Sequence, residues 1–85
     1  MLKLKIVSPQ KIEFEGEVEN VKVPGSLGQF EILTGHAPII SLLTKGEVIY
    51  TCADGKQSIG ITGGFVEVQK NEVSLCVELH DDEQS

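Results

Sequence analysis

The sequence has no tryptophan and no arginine, only 5% aromatic residues and two cysteines. It also has no apolar run near the roughly 18 residues that a membrane-spanning helix needs. Each shortage excludes something. Without arginine, the seven basic residues are all lysine and face thirteen acids, for a formal charge of -6. A surface of that sign repels phosphates, which argues against binding nucleic acid or inserting directly into an anionic membrane. Cys52 and Cys76 are too few for a disulfide-stapled scaffold and lack the Cys-x-x-Cys spacing of zinc or redox sites, so free thiols are expected. The start, Met1-Leu2-Lys3-Leu4-Lys5, alternates and lacks the continuous apolar stretch of a signal peptide, which predicts a cytosolic protein.

What is present is a single small domain. Eighty-five residues, 40% hydrophobic, support one modest core and no large internal cavity. Leu2, Leu4 and Ile6 alternate with Lys3 and Lys5, and after Ser8-Pro9-Gln10 the alternation resumes with Ile12, Phe14, Gly16 and Val18 against four glutamates. A period of two means strands. A turn at Pro9 pairs Ile6 with Ile12 and Leu4 with Phe14, and sets Lys5 opposite Glu13 and Lys3 opposite Glu15. Apolar parity then slips from Phe14 and Val18 to Val21 and Val23, which predicts a β-bulge near Glu19-Asn20.

Turn signals recur along the rest of the chain. They are Pro24 to Gly28, Thr34-Gly35, Lys45-Gly46-Glu47, the hairpin signal Asp54-Gly55, a break at Gly63-Gly64, and Lys70-Asn71-Glu72. Pro38 makes Ala37 extended, and Ile39 to Leu43 reads as a strand. No window of a dozen residues has a helical period. The expectation is therefore an all-β fold of two packed antiparallel sheets over residues 1–80, followed by an acidic tail over residues 81–85 expected to be disordered.

Chemistry is sparse. Gly-x-x-x-x-Gly-Lys-Ser/Thr and Gly-x-Ser-x-Gly are missing, and His36 and His80 stand far apart with no ligand or triad spacing. No metal site, no cofactor and no catalytic residue is expected. Glu13, Glu15, Glu17 and Glu19 read as a solvated charged face, since strand neighbours two apart point outward and do not wrap an ion. Taken alone, His36 reads as a structural hydrogen-bonding residue before a ligand. Gly63-Gly64 reads first as a bend where backbone meets backbone, then as a flat surface for a partner. By parity Cys76 faces away from Leu75 and Val77, toward solvent or a second apolar layer.

The stretch Gly25-Ser26-Leu27-Gly28-Gln29-Phe30-Glu31-Ile32-Leu33-Thr34-Gly35-His36-Ala37-Pro38 resembles the signature loop of the epsilon subunit of F-type ATP synthases, called delta in mitochondria. The opening Leu-x-Ile-Val-Ser-Pro, the Val21-x-Val23-Pro24-Gly25 strand end and Gly63-Gly64-Phe65-Val66-Glu67-Val68 fall in the same order as in that family. The resemblance implies a non-catalytic rotor subunit of the F1 sector. Its antiparallel β-sandwich of about ten short strands would bind the gamma subunit and the loops of the c-ring and couple proton translocation to ATP synthesis. It would be a peripheral protein on the cytoplasmic face of a bacterial inner membrane, monomeric when isolated. Motif matching puts Ser8, His36, Ser41 and Thr62 toward gamma, and Ser26, Leu27, Gln29 and Glu31 toward the c-ring.

Three positions depart from the commonest family pattern: Gln29 where Glu is frequent, Glu31 where Gly is frequent, and Thr34 where Pro is frequent. A glutamate cannot cheaply take left-handed dihedrals, so Glu31 predicts an altered turn before His36. The helical hairpin that follows in most members is not expected from these residues, because six remain after Leu79 and even a 30 Å helix needs about 20. The chain is thus either naturally short or cut, and without those helices it is expected neither to inhibit hydrolysis nor to sense ATP. The alternative reading, a free-standing β-sandwich binding module, would display exposed aromatic ligand residues. Three Phe and one Tyr are no more than a core of this size uses.

Overall fold

Alternation in the first residues becomes strand β1 (Leu2–Val7), with Leu2, Leu4 and Ile6 buried and Lys3 and Lys5 exposed. In the computed structural model, which describes residues 1–79, seven further strands follow. They are β2 (Ile12–Val18), β3 (Asn20–Gly25), β4 (Gly28–Leu33), β5 (Ile39–Leu43), β6 (Gly46–Cys52), β7 (Gly55–Gln69) and β8 (Glu72–Leu79). The acidic tail expected over residues 81–85 lies outside the described residues. Among the described residues no helix is long and apolar enough to cross a membrane.

The strands form two layers. One runs β2-β1-β8, then the second half of β7, then β5; the other runs β4-β3-β6, then the first half of β7. The layers join where β7 passes from one to the other, and again where Gly25 of β3 pairs with Leu43 of β5. Between them lies a core of aliphatic side chains, among which Ile6, Val18, Ile32, Val48, Ile61 and Leu75 are fully buried. Phe14 and Tyr50 close it at the side, with ring centroids 4.6 Å apart.

The all-β sandwich agrees with the alternating sequence, but several details differ from expectation. Among the described residues there are eight strands instead of about ten, partly because β7 is a single 15-residue strand that serves both layers. The expected break at Gly63-Gly64 is instead an irregularity in the β7–β8 pairing between Ile61 and Gly63, through which the strand continues. Not every pairing is antiparallel, since β1 lies parallel to β8, with Leu4 beside Val73 and Ile6 beside Leu75. The first hairpin is shifted by two residues from the expected register. Ile6 faces Phe14, Lys5 faces Glu15 and Lys3 faces Glu17. The turn absorbs Ser8 to Lys11, with the Ser8 N–H donating to the Lys11 carbonyl at 2.9 Å. A two-residue slip leaves every side chain on its own face, so both registers satisfy the alternation. The observed one also brings the fully buried Val18 opposite Leu2.

The parity change lies where the sequence places it, but it is a change of partner and not a bulge within one strand. β2 ends at Val18 against β1, Glu19 donates its N–H to the Thr51 carbonyl at 2.8 Å, and β3 begins at Asn20 against β4 and β6. Lys70 and Asn71 both take positive φ, 52° and 63°, in the two-residue β7–β8 turn. That twist suits a tight hairpin.

Candidate functional site

Pairing register decides what the outer face of the first layer presents. Leu42 of β5 is opposite Phe65 of β7, Phe65 is opposite Cys76 of β8, Cys76 is beside Val7 of β1, and Val7 is opposite Ile12 of β2. All five side chains lie on the solvent side of their strands. The result is an apolar row across five strands, with Leu42 67%, Ile12 50% and Phe65 42% exposed. Ile40, exposed beside Leu42, widens it at one end. The next row is Glu67, Ser74, Lys5 and Glu15, which is polar. A shallow groove of about 340 Å³, lined by Val7, Ser8, Phe65, Cys76 and Glu78 among others, runs along the apolar row. The outer face of the second layer is mostly polar, with Gln29, Glu31, Lys22, Glu47, Lys56 and Ser58 exposed.

The residues expected to face gamma are not all gathered. Ser8 is only 5% exposed. Its hydroxyl donates to Glu13 Oε2 at 2.8 Å and accepts the Lys11 N–H at 3.4 Å, so it is committed to the β1–β2 turn. Thr62, exposed at the β7 irregularity, donates from Oγ1 to the Glu78 carbonyl at 3.2 Å. Ser8 and Glu78 both line the groove, so Thr62, bonded to the Glu78 backbone, stands beside the row and at neither end of it. Ser41, half-buried, is opposite the fully buried Val66 and so lies on the inner side of β5, away from the row, with its hydroxyl donating to the Leu42 carbonyl at 3.3 Å. His36 stands apart on the β4–β5 loop. Its Nδ1 donates to the Ala37 carbonyl at 2.7 Å, and its ring lies 6.5 Å from that of Phe30. That loop is fastened to the β7–β8 turn by the Gly35 N–H, which donates to Asn71 Oδ1 at 2.7 Å. From Asn71 to Cys76 along β8 is roughly 16 Å.

The second set is contiguous. Ser26 and Leu27 form the two-residue turn between the paired Gly25 and Gly28, and Leu27 is fully exposed. The Ser26 N–H donates to the Leu42 carbonyl at 3.0 Å and the Thr44 N–H to the Pro24 carbonyl at 2.8 Å, tying this turn to β5. Gln29 and Glu31 follow on the outer face of β4, an edge strand. Glu31 pairs with Lys22, and its Oε2 accepts from Asn20 Nδ2 at 2.6 Å. Glu31 itself lies mid-strand in β4 without a positive φ. In this hairpin only Gly28 takes a positive φ, +132°.

Sequence reasoning missed the apolar row and Asn71. Leu42 and Phe65 fall out of phase with the buried Leu43 and Val66, a signal present in the alternation, but the row itself exists only once four pairings are known. Among the described residues no group of three or more His, Cys, Asp and Glu side chains could hold a metal ion. Tyr50 has its pKa raised by burial first and by the neighbouring Cys52 charge second. It belongs to the core and not to either surface.

Comparison with known proteins fits these features. The profile of the family described as "ATP synthase, Delta/Epsilon chain, beta-sandwich domain" matches residues 1–79. An ATP synthase epsilon chain of Chlorobium limicola is 46% identical over 77 residues, covering 89% of this chain and 88% of its own. That of Chlorobaculum tepidum is 42% identical over 76 residues, covering 88% and 86%. In Leptospira borgpetersenii the epsilon chain is 39% identical over 77 residues, and this chain spans only 61% of its length. The fold recurs in a chain of the Euglena gracilis mitochondrial ATP synthase, with a TM-score of 0.82 at 22% identity over 89% of this chain and 49% of that one. It recurs also in the Tetrahymena thermophila mitochondrial ATP synthase, with a TM-score of 0.75 at 16% identity over 91% and 63%. The match over residues 1–79, together with these relatives, means that the chain belongs to the ATP synthase delta/epsilon family, as a non-catalytic β-sandwich domain.

Proposed function

We propose that this chain is a central-stalk rotor subunit of an ATP synthase. In this reading it docks on the gamma subunit through the apolar row of the first layer and meets the c-ring loops through the β3–β4 turn. It thereby couples proton translocation to ATP synthesis from a peripheral position on the cytoplasmic face of a bacterial inner membrane. The observation that carries this reading is the asymmetry of the two outer faces. Leu42, Phe65, Cys76, Val7 and Ile12 run one apolar row across the five strands of the first layer, next to a polar row, while the other face carries lysine, glutamate and glutamine beside a single exposed Leu33. An apolar surface of this kind, rimmed by polar residues, marks a protein contact.

Thr62 sets a polar group beside that row, Ser8 holds the β1–β2 turn next to Val7, and Ser41 stands on the inner side of β5 behind Leu42. His36 contributes from a separate loop as a second point of attachment. The solved assemblies that contain this fold are described as including a c-ring, one of them with a central stalk, which supports the same partners. A packed sandwich whose two contact surfaces are joined by backbone hydrogen bonds from Ser26 to Leu42 and from Thr44 to Pro24 is stiff enough to transmit torque between them.

Reconstitution tests the reading. An ATP synthase lacking its epsilon subunit is combined with this chain, and ATP-driven proton pumping is measured. Restored pumping, with calorimetric binding to isolated gamma, is the expected result. Binding to neither gamma nor the depleted complex would return the chain to the class of free-standing β-sandwich modules.

A further inference from the structure

We infer that Asn71 is the positioning residue for His36. This rests on the reading of His36 as a gamma contact, and it assigns the placement of that contact to a residue outside both proposed surfaces. Among the described residues, the 34–38 loop makes one hydrogen bond to a distant part of the chain, from the Gly35 N–H to Asn71 Oδ1, at 2.7 Å and 36 positions apart. The loop's other hydrogen bonds are local, from the His36 N–H to the Leu33 carbonyl at 3.0 Å and from His36 Nδ1 to the Ala37 carbonyl at 2.7 Å. Local bonds shape the loop without fixing where it stands on the sandwich.

Asn71 is itself held. Its carbonyl accepts the Lys3 N–H at 2.9 Å, so the turn is anchored to β1 while its side chain reaches the β4–β5 loop. The residue thus joins three segments remote in sequence. Its φ of +63° is a conformation that glycine adopts most cheaply and asparagine tolerates. Glycine would make the same turn and could not reach Gly35. The carboxamide is therefore what residue 71 adds beyond the turn, and its effect is to order the residue preceding His36 before any partner arrives. An ordered loop loses less freedom on binding.

The test uses two variants. Asn71→Gly keeps the turn and removes the acceptor, whereas Asn71→Asp keeps an acceptor at the same place. In the isolated chain, the Gly35 amide of Asn71→Gly is expected to exchange with solvent about fivefold faster than in the parent, with β-strand amides unchanged. In Asn71→Asp it is expected to stay protected. Gamma affinity, measured by calorimetry, should fall severalfold for Asn71→Gly and be largely retained for Asn71→Asp. Unchanged Gly35 exchange in Asn71→Gly, or equal loss in both variants, overturns the inference. If the parent itself fails to bind gamma, the proposed function fails, while the exchange data still decide whether Asn71 orders the loop.

Discussion

Gly64 of β7 lies against the Cys76 carbonyl of β8 so closely that a β-carbon there would overlap that oxygen and come within 2.8 Å of Val77 Cα. Its φ of +140° is also one that side chains rarely adopt. The close approach fixes the backbone next to Phe65, so this glycine sets the geometry of the apolar row.

Gly64→Ala should accordingly destabilise the domain by roughly 3 kcal/mol, combining backbone strain with overpacking against main chain that cannot yield. Gly63→Ala is the control, because the nearest atom to a β-carbon there is the Leu43 carbonyl at 3.8 Å and its φ is ordinary. Denaturant unfolding of both variants checks this. Equal loss at the two positions would show that the sheet accommodates residue 64.

Phe65 separates docking from folding. At 42% exposure it contributes less to the core than a buried aromatic, while it stands in the row between Leu42 and Cys76. Phe65→Ser is expected to weaken gamma binding by about 2 kcal/mol, or some thirtyfold, with a shift in melting temperature of only a few degrees. Ser58→Glu, on the polar outer face of the other layer, should leave affinity unchanged. Calorimetry with isolated gamma reads both, and the reverse pattern would move the docking surface to the second layer.

How far the sequence reveals this molecule depends on whether a feature is local. Leu2, Leu4 and Ile6 announce β1 because alternation is a property of one strand, and Ile39 to Leu43 matches β5 residue for residue. The register of β1 on β2 was ambiguous because Lys–Glu apposition and apolar alternation survive a two-residue slip. The parallel β1–β8 pair joins segments about 70 residues apart, and no local pattern encodes that partnership. Gly63-Gly64 looked like a chain break because glycine pairs usually are one, yet only Gly64 is required, by its close approach to Cys76. The same distinction holds for the site. The hairpin tip Ser26-Leu27 is a local turn and was legible, whereas the row from Leu42 to Val7 comes into being through pairing alone.

Tyr50 predicts an alkaline limit to stability. Burial raises its pKa above the ordinary value of about 10, with the Cys52 charge adding to the shift. The folded state therefore holds the phenol proton more tightly than the unfolded state does. Its contribution to stability is fully present below pH 10 and is lost as pH rises through the folded-state pKa. Unfolding free energy measured from pH 8 to 11.5 should decline beyond pH 10 in the parent and decline less in Tyr50→Phe. Parallel declines in the two proteins would show that Tyr50 is not the source of the alkaline loss.

The β3–β4 turn leads to the most direct test of orientation in the assembly. Leu27 is fully exposed at the tip of a two-residue turn, where its side chain is open to a partner. The turn is not loose, since the Ser26 N–H is bonded to Leu42 and the Thr44 N–H to Pro24, so a partner meeting Leu27 meets a fixed shape. Asp54 caps the β6–β7 hairpin near Thr51, which pairs with Asn20 at the far end of β3, about 17 Å from Gly25. Cysteines placed at Leu27 or Gln29 should therefore crosslink to cysteines in the c-subunit loops of an assembled complex, while one at Asp54 should not. Glu31 lies further along β4 and is bonded to Asn20, so a cysteine there should crosslink less than one at Gln29. Crosslinking from Asp54, with none from Leu27 or Gln29, would mean that the sandwich stands inverted on the ring and that the exposed leucine faces some other partner.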